Sequence, residues 1–255
     1  MTCLKKQPSV ERVPNMSTLS LEALYKRYDN KPVVEGVHLS VESGVVVGLL
    51  GPNGAGKTTT FYMAVGMIKA DGGRVLLDGN DITKDPMHVR ALKGVGYLPQ
   101  ESSVFRKLSV RDNILAILEI GPKKRHERTQ RADELMAELG IAKLADRKAL
   151  VLSGGERRRL EIARALATDP LFMLLDEPFA GIDPIAVADI QKIIRSLARR
   201  DIGVLISDHN VRETLTVCDR AYILNEGRVI ESGPPSHIAN SEVARRIYLG
   251  EKFRM

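Results

Sequence analysis

Residues 44–63 read GVVVGLLGPNGAGKTTTFYM, and the organisation of the chain follows from them. The run at 45–50 is apolar without interruption, as in a parallel strand covered on both faces. It ends in Gly51-Pro52-Asn53-Gly54-Ala55-Gly56-Lys57-Thr58-Thr59, a full match to G-x-x-x-x-G-K-[ST]. A helix is predicted to open there, over about residues 57–67. Glycines let backbone N–H groups turn inward around phosphate oxygens without a Cβ in the way. The helix N-terminus adds partial positive charge. Lys57 is expected on the β- and γ-phosphates and Thr58 on Mg²⁺.

Outward from this stretch, strands and helices alternate, which predicts an α/β fold with a mostly parallel sheet. On the N-terminal side, 19–28 is strand-like, and 33–44 reads as a hairpin-like stretch closed at Ser43-Gly44. On the C-terminal side, short strands are expected near 74–77 and 95–98. Helical periodicity takes over from about 102 to 168, as in an inserted helical subdomain. A buried strand at 171–176 follows, then a helix at about 186–199, a strand at 203–207 and a late hairpin at 221–233. The expected division is a disordered extension at 1–18 and one domain at 19–255. Within it, a core of about 19–100 and 169–240 surrounds a helical insert of about 101–168, with a C-terminal segment at 241–255.

Two further strings carry chemistry. LFMLLDE at 171–177 ends an apolar strand in adjacent carboxylates, which are costly there without a task. Asp176 fits a Mg²⁺-organising acid, and Glu177 fits the base that polarises an attacking water. LSGGE at 152–156 opens a helix, with Ser153 and Glu156 spaced as an S-x-x-E capping box. Gly154 and Gly155 between them leave that helix N-terminus open to an anion.

The order of these strings resembles the ABC ATPases, in which LSGGE lies between the phosphate loop and the Asp-Glu pair. The resemblance implies a P-loop NTPase core of mostly parallel strands, an N-terminal antiparallel β subdomain and an inserted helical subdomain. It also implies further roles. Gln100, closing VGYLPQ, matches the glutamine that touches Mg²⁺ and the water. His209 matches the switch histidine at the γ-phosphate. Asp183, in Ala180-Gly181-Ile182-Asp183, matches the D-loop that crosses between subunits, and Tyr28 matches the aromatic that stacks on adenine. Two copies are expected to sandwich ATP head to tail, Lys57 of one and Ser153 of the other gripping the same γ-phosphate.

Within the family, GYLPQESSVFRKLSVRDN, LLDEPFAGIDP, SDHNVRETLTVCDRAYI and YLGEKFRM are similar to the lipopolysaccharide-export ATPases. That resemblance implies two transmembrane permease subunits whose coupling helices enter a groove at Phe105 and Arg106. It also implies a cytoplasmic chain, peripheral on the inner membrane. Lys107 stands where that branch often has Arg, which loses bidentate geometry. The branched-chain amino-acid import ATPases share the catalytic set and are the first alternative. A soluble non-transport ABC ATPase is the second.

Composition narrows the rest. The 255 residues carry a net charge of +6, are 44% hydrophobic, and contain no Trp and two cysteines, Cys3 and Cys218. No apolar run approaches the roughly 18–20 residues of a membrane span. Two cysteines support neither a disulfide framework nor a zinc site. Basic residues are dispersed and aromatics scarce, a poor supply of stacking platforms, so no nucleic acid is expected. Lys123-Lys124-Arg125 and Arg157-Arg158-Arg159 sit in helical contexts.

Overall fold

The computed structural model describes residues 16–251 and residue 253. The expected N-terminal extension lies outside the described residues up to position 15. The chain begins with β1 (Thr18–Tyr28), β2 (Lys31–Glu42), β3 (Val46–Leu50), α1 (Lys57–Val65), β4 (Gly72–Leu77), β5 (Asn80–Asp81), α2 (Met87–Leu92) and β6 (Val95–Leu98). Three helices follow: α3 (Val110–Leu118), α4 (Arg125–Glu138) and α5 (Gly154–Leu166). The chain then adds β7 (Phe172–Asp176), α6 (Pro184–Ala198), β8 (Gly203–Ser207), α7 (Val211–Val217), β9 (Arg220–Asn225), β10 (Arg228–Gly233) and α8 (Pro235–Asn240). It closes with a helical turn, Glu242–Ala244, and a π-helical turn, Arg245–Leu249.

The strands form two sheets. One is antiparallel, in the order β2-β1-β4-β5, and the other has the order β10-β9-β3-β8-β7-β6. In the second, every pairing from β9 to β6 is parallel, and only β10 pairs antiparallel. β3, β7 and β8 are buried along their whole length, as uniformly apolar runs in a covered parallel sheet must be. One apolar core fills the space between the sheets and around α1, with Leu19, Leu39, Phe61, Val65 and Phe172. A second lies on the opposite face and runs into the helical insert through Ile114, Leu135, Leu160 and Ile190. Among the described residues, no helix is long and apolar enough to cross a membrane.

This arrangement decides where chemistry can occur. β3, β8, β7 and β6 are parallel neighbours, so their carboxyl ends share one rim. The residues just beyond those ends are Gly51, Asp208, Glu177 and Pro99. Ligands of open α/β sheets bind on that side.

Three sequence expectations shift. The N-terminal hairpin turns at Asp29-Asn30, both with positive φ (48° and 62°), the conformation two-residue hairpins demand and Asp and Asn tolerate. Ser43-Gly44 closes no hairpin, because it carries the chain from β2 in one sheet to β3 in the other. α1 stops at Val65, short of 67, where Gly66 turns left-handed (φ 86°) and the Tyr62 carbonyl accepts the closing amide. α6 starts at Pro184, two residues before the expected position, because the Asp183 side chain accepts from the Ala186 N–H and caps it.

The end of α1 is held by Arg90, which is 1% exposed. Its guanidinium donates to the carbonyls of Met63 (2.7 Å), Ala64 (2.7 Å), Thr83 (2.9 Å) and Asp85 (2.9 Å). Burial lowers its pKa, opposed by Asp85 and Asp81. Four oriented carbonyls, two of them at the negative end of α1, take the place of a counter-ion. Arg90→Met strands these acceptors and is expected to cost on the order of 3 kcal/mol. In a thermal melt this should lower Tm by roughly 6–12 °C, and an unchanged melt would refute the assignment.

Candidate nucleotide site

The phosphate loop is shaped by backbone contacts from both sides. At Gly51 (φ 149°) an added Cβ would sit 2.1 Å from the Leu224 carbonyl oxygen. At Gly56 (φ 98°) it would sit 2.5 Å from the Val33 carbonyl oxygen. Neither position admits a side chain, so sterics alone require glycine at both. Gly56 also precedes the first turn of α1 with no side-chain cap, leaving its N–H groups for an anion. Pro52, Asn53, Gly54 and Ala55 complete the loop, with Asn53 and Gly54 exposed and Ala55 buried. Thr58 is exposed and Thr59 half-buried just inside the helix.

Lys57 Nζ donates to the carbonyls of Gly51 (2.6 Å) and Pro52 (3.0 Å). Burial lowers its pKa, and Glu177, Asp176 and Asp208 push it back up. Asp176, 3% exposed, moves the other way. Its pKa is raised to about 6, first by burial and then by the charge of Glu177, with Arg158 opposing.

Glu177 follows Asp176 in a left-handed conformation (φ 43°), its N–H donating to the Ser207 carbonyl at 2.7 Å. This backbone turn swings the side chain off the strand toward its neighbours. Its Oε2 accepts from Gln100 Nε2 at 2.9 Å and lies 3.2 Å from His209 Nδ1. Three positions separated by dozens of residues thus meet at one carboxylate oxygen.

Among the described residues, no cluster of three His, Cys, Asp or Glu side chains is arranged to hold a metal. Around Asp176, the charges of Glu177 and Asp208 are opposed by Arg158 and Lys57. That surplus of negative charge with few protein ligands suits Mg²⁺, which keeps waters and takes one or two carboxylates plus phosphate oxygens. The residues present fit the ion.

The remaining predicted residues lie apart, and among the described residues no hydrogen bond or ion pair joins them to Lys57 or Glu177. The capping box forms as read: Glu156 N donates to Ser153 Oγ (3.3 Å), and Ser153 N donates to Glu156 Oε2 (2.8 Å). The backbone hydrogen bond from Ser153 is the main cause of the lowered Glu156 pKa. Gly154 faces the Gly181 carbonyl and Ile182, and a Cβ at Gly155 would meet Ala186 at 2.8 Å, so this helix end rests against the residues on either side of Asp183. Tyr28 is exposed at the tip of β1, with Lys26 Nζ 5.5 Å from its ring. It lies on the hairpin whose Val33 covers Gly56. Phe105 is 46% exposed, its ring stacked by the Arg164 guanidinium at 4.5 Å. Phe105, Leu108, Leu150 and Val151 form an exposed apolar patch, and the Arg106 carbonyl accepts the Leu150 N–H.

Three residues escaped the sequence reading. Arg158, 6% exposed, donates to the carbonyls of Pro99 (2.8 Å), Asp176 (3.1 Å) and Glu177 (3.3 Å), and pairs with Glu161 (3.0 Å). Glu161 accepts from Ser102 Oγ (2.7 Å) and from the Ser103 N–H (3.3 Å). Asp208 is fully buried, accepting from the Phe179 N–H (3.1 Å) and the Asn210 N–H (2.7 Å). Asp208 was legible by the criterion applied to Asp176, a carboxylate at the end of an apolar strand. Arg158 was hidden in a run of three arginines.

Comparison with known proteins gives a consistent result. The ABC transporter family model matches residues 34–180. The lipopolysaccharide export system ATP-binding protein LptB of Haemophilus influenzae is 56% identical over 244 residues, covering 94% of this chain and 100% of that protein. LptB of Escherichia coli K12 is likewise 56% identical, over 241 residues, with the same coverage. Among solved structures, the ADP conformation of an ATP-binding cassette of an ABC transporter superposes with a TM-score of 0.82. It shares 30% identity, covering 92% of this chain and 100% of that one.

The raised pKa of Asp176 makes a stability prediction. Between its ordinary value of 3.8 and about 6, the native state holds this proton more tightly than the unfolded chain. Stability therefore falls as pH rises through that window, and above it the ionised carboxyl is a standing cost to the fold. Asp176→Asn should melt higher than the parent at pH 7.5 and lose this advantage toward pH 4. A variant melting lower at neutral pH would contradict the assignment.

Proposed function

The chain belongs to the ABC transporter ATPase family, and from that membership we propose that it is the ATP-hydrolysing motor of a lipopolysaccharide exporter. The observation that carries the motor reading is the meeting of Gln100 and His209 on one oxygen of Glu177. A carboxylate held from two sides beside a phosphate loop is placed to accept a proton from water attacking the γ-phosphate. The export reading is supported by the 56% identity to the two LptB proteins over nearly the whole chain.

In this reading, residues 51–59 cradle the phosphates through backbone N–H groups, Lys57 neutralises the β- and γ-phosphates, and Tyr28 stacks on adenine. Thr58, Asp176 and Gln100 are the residues that would hold Mg²⁺, which when bound neutralises charge developing on the phosphate oxygens. Ser153, Gly154, Gly155 and Glu156 of a second copy complete the site from the opposite side, and Asp183 lies in the segment between the two copies. A homodimer closed by ATP and reopened after hydrolysis follows. The groove at Phe105 and Arg106, beside the apolar patch, receives the coupling helices of two transmembrane permease subunits. The chain then sits on the cytoplasmic face of the inner membrane. The sequence-based division, with a core at 19–100 and 169–240, a helical insert at 101–168 and a C-terminal segment at 241–255, belongs to the same proposal.

Glu177→Gln should bind ATP and dimerise with it while kcat drops by roughly 10²–10⁴-fold; turnover at the parental rate would end the role given to Glu177. A tagged chain extracted from membranes in mild detergent should bring down two permease subunits of a lipopolysaccharide exporter. Amino-acid permeases in their place would reassign the cargo, and recovery of the folded ATPase alone would remove the transporter reading.

A further inference from the structure

Asp208 carries more than its local turn requires. One oxygen, Oδ1, accepts from the Asn210 N–H two residues on, an ordinary Asx turn leading into α7. A serine hydroxyl can make the same bond. The other oxygen, Oδ2, accepts from the N–H of Phe179, 29 residues earlier in the chain. Phe179 is 2% exposed and leads directly into 180–183. Oδ1 also lies 3.6 Å from His209 Nδ1, the atom that faces Glu177. A single buried carboxylate therefore fastens the entry of one loop to the entry of another, with the Glu177–His209 contact between them. Burying this charge is unfavourable unless both oxygens are satisfied, and its second bond is the one local geometry does not explain.

We propose that Asp208 is a positioning residue that couples the 180–183 segment to His209. Movement of that segment against a second copy of the chain is then passed to the histidine at the catalytic carboxylate. The inference rests on the proposed function, in which 180–183 lies between the two copies. Asp208 touches neither nucleotide nor water in this scheme. It acts through the Phe179 and Asn210 amides, both of which belong to segments that flank the site.

Asp208→Ser separates the two bonds, since a hydroxyl reaches Asn210 N–H but not Phe179 N–H as well. With the purified full-length chain, kcat should fall about tenfold or more while KM for ATP stays within about twofold. ATP-dependent association of the Asp208→Ser/Glu177→Gln double variant should be retained on size exclusion. Should Asp208→Ser fail to fold, Asp208→Thr fills more of the same space with a single hydroxyl that likewise reaches only the Asn210 N–H, and it is expected to give the same kinetic split. A kcat within about twofold of the parent overturns the proposal, as does a parallel loss of kcat, KM and Tm, the signature of a merely structural role. A parent chain without ATPase activity removes the proposed function itself and this inference with it.

Discussion

Negative charge crowded at one rim of a parallel sheet is the constraint around which this molecule is organised. Asp176, Glu177 and Asp208 lie where β7 and β8 end, and burial, joined by the charges of Glu177 and Asp208, lifts the Asp176 pKa to about 6. Such a cluster persists only if the surroundings hold it. The same three carboxylates oppose the desolvation that lowers the Lys57 pKa. The Arg158 guanidinium sits behind the rim on the carbonyls of Asp176 and Glu177. The fold accepts a local penalty so that these groups face one another at a fixed separation, a pattern common where chemistry is performed.

Arg158 also shows how distant surfaces are joined. It is followed on α5 by Glu161 and Arg164, each three residues on and so along one stripe of the helix. Arg158 holds the Pro99 carbonyl, Glu161 holds Ser102 and Ser103, and Arg164 bonds the Ser103 carbonyl and stacks on Phe105. The loop from Pro99 to the exposed apolar patch is therefore bound to the helix whose N-terminus is Ser153. In the proposed reading, the membrane-facing patch and the surface that meets a second nucleotide share one rigid support.

The sequence disclosed those parts of the site that depend on local geometry. The glycines of 51–56, the S-x-x-E box and the Asp-Glu pair each follow from a rule spanning a few residues, and the structure places them as those rules require. The uniformly apolar runs likewise revealed three central strands. Contacts made across long separations were not legible. No short-range pattern distinguishes Arg158 from Arg157 and Arg159, because its role depends on which helix face meets β6 and β7. The Asp29-Asn30 turn was missed for a different reason: Ser43-Gly44 was an equally plausible turn string, and strand pairing decided between them. Beyond its place at a strand end, Asp208 is not distinguished by any local rule, because the bond that sets it apart reaches an amide 29 residues earlier in the chain.

The order of strands in the larger sheet has a consequence for biogenesis. β3 is flanked by β8 and β9, and the Val46 N–H donates to an Asp219 carboxylate oxygen 173 residues further along the chain. At translation rates of about 5–20 residues per second, that separation corresponds to roughly 9–35 s of synthesis. Until β8 is made at Gly203–Ser207, the central strand, five buried aliphatic and glycine positions in the finished molecule, has neither neighbour available on the nascent chain. The N-terminal antiparallel sheet, whose strands lie within the first 81 residues, has all its partners much sooner. A half-made chain thus presents one complete β layer beside an orphaned hydrophobic segment, which makes the ribosome-bound intermediate a natural client for chaperones.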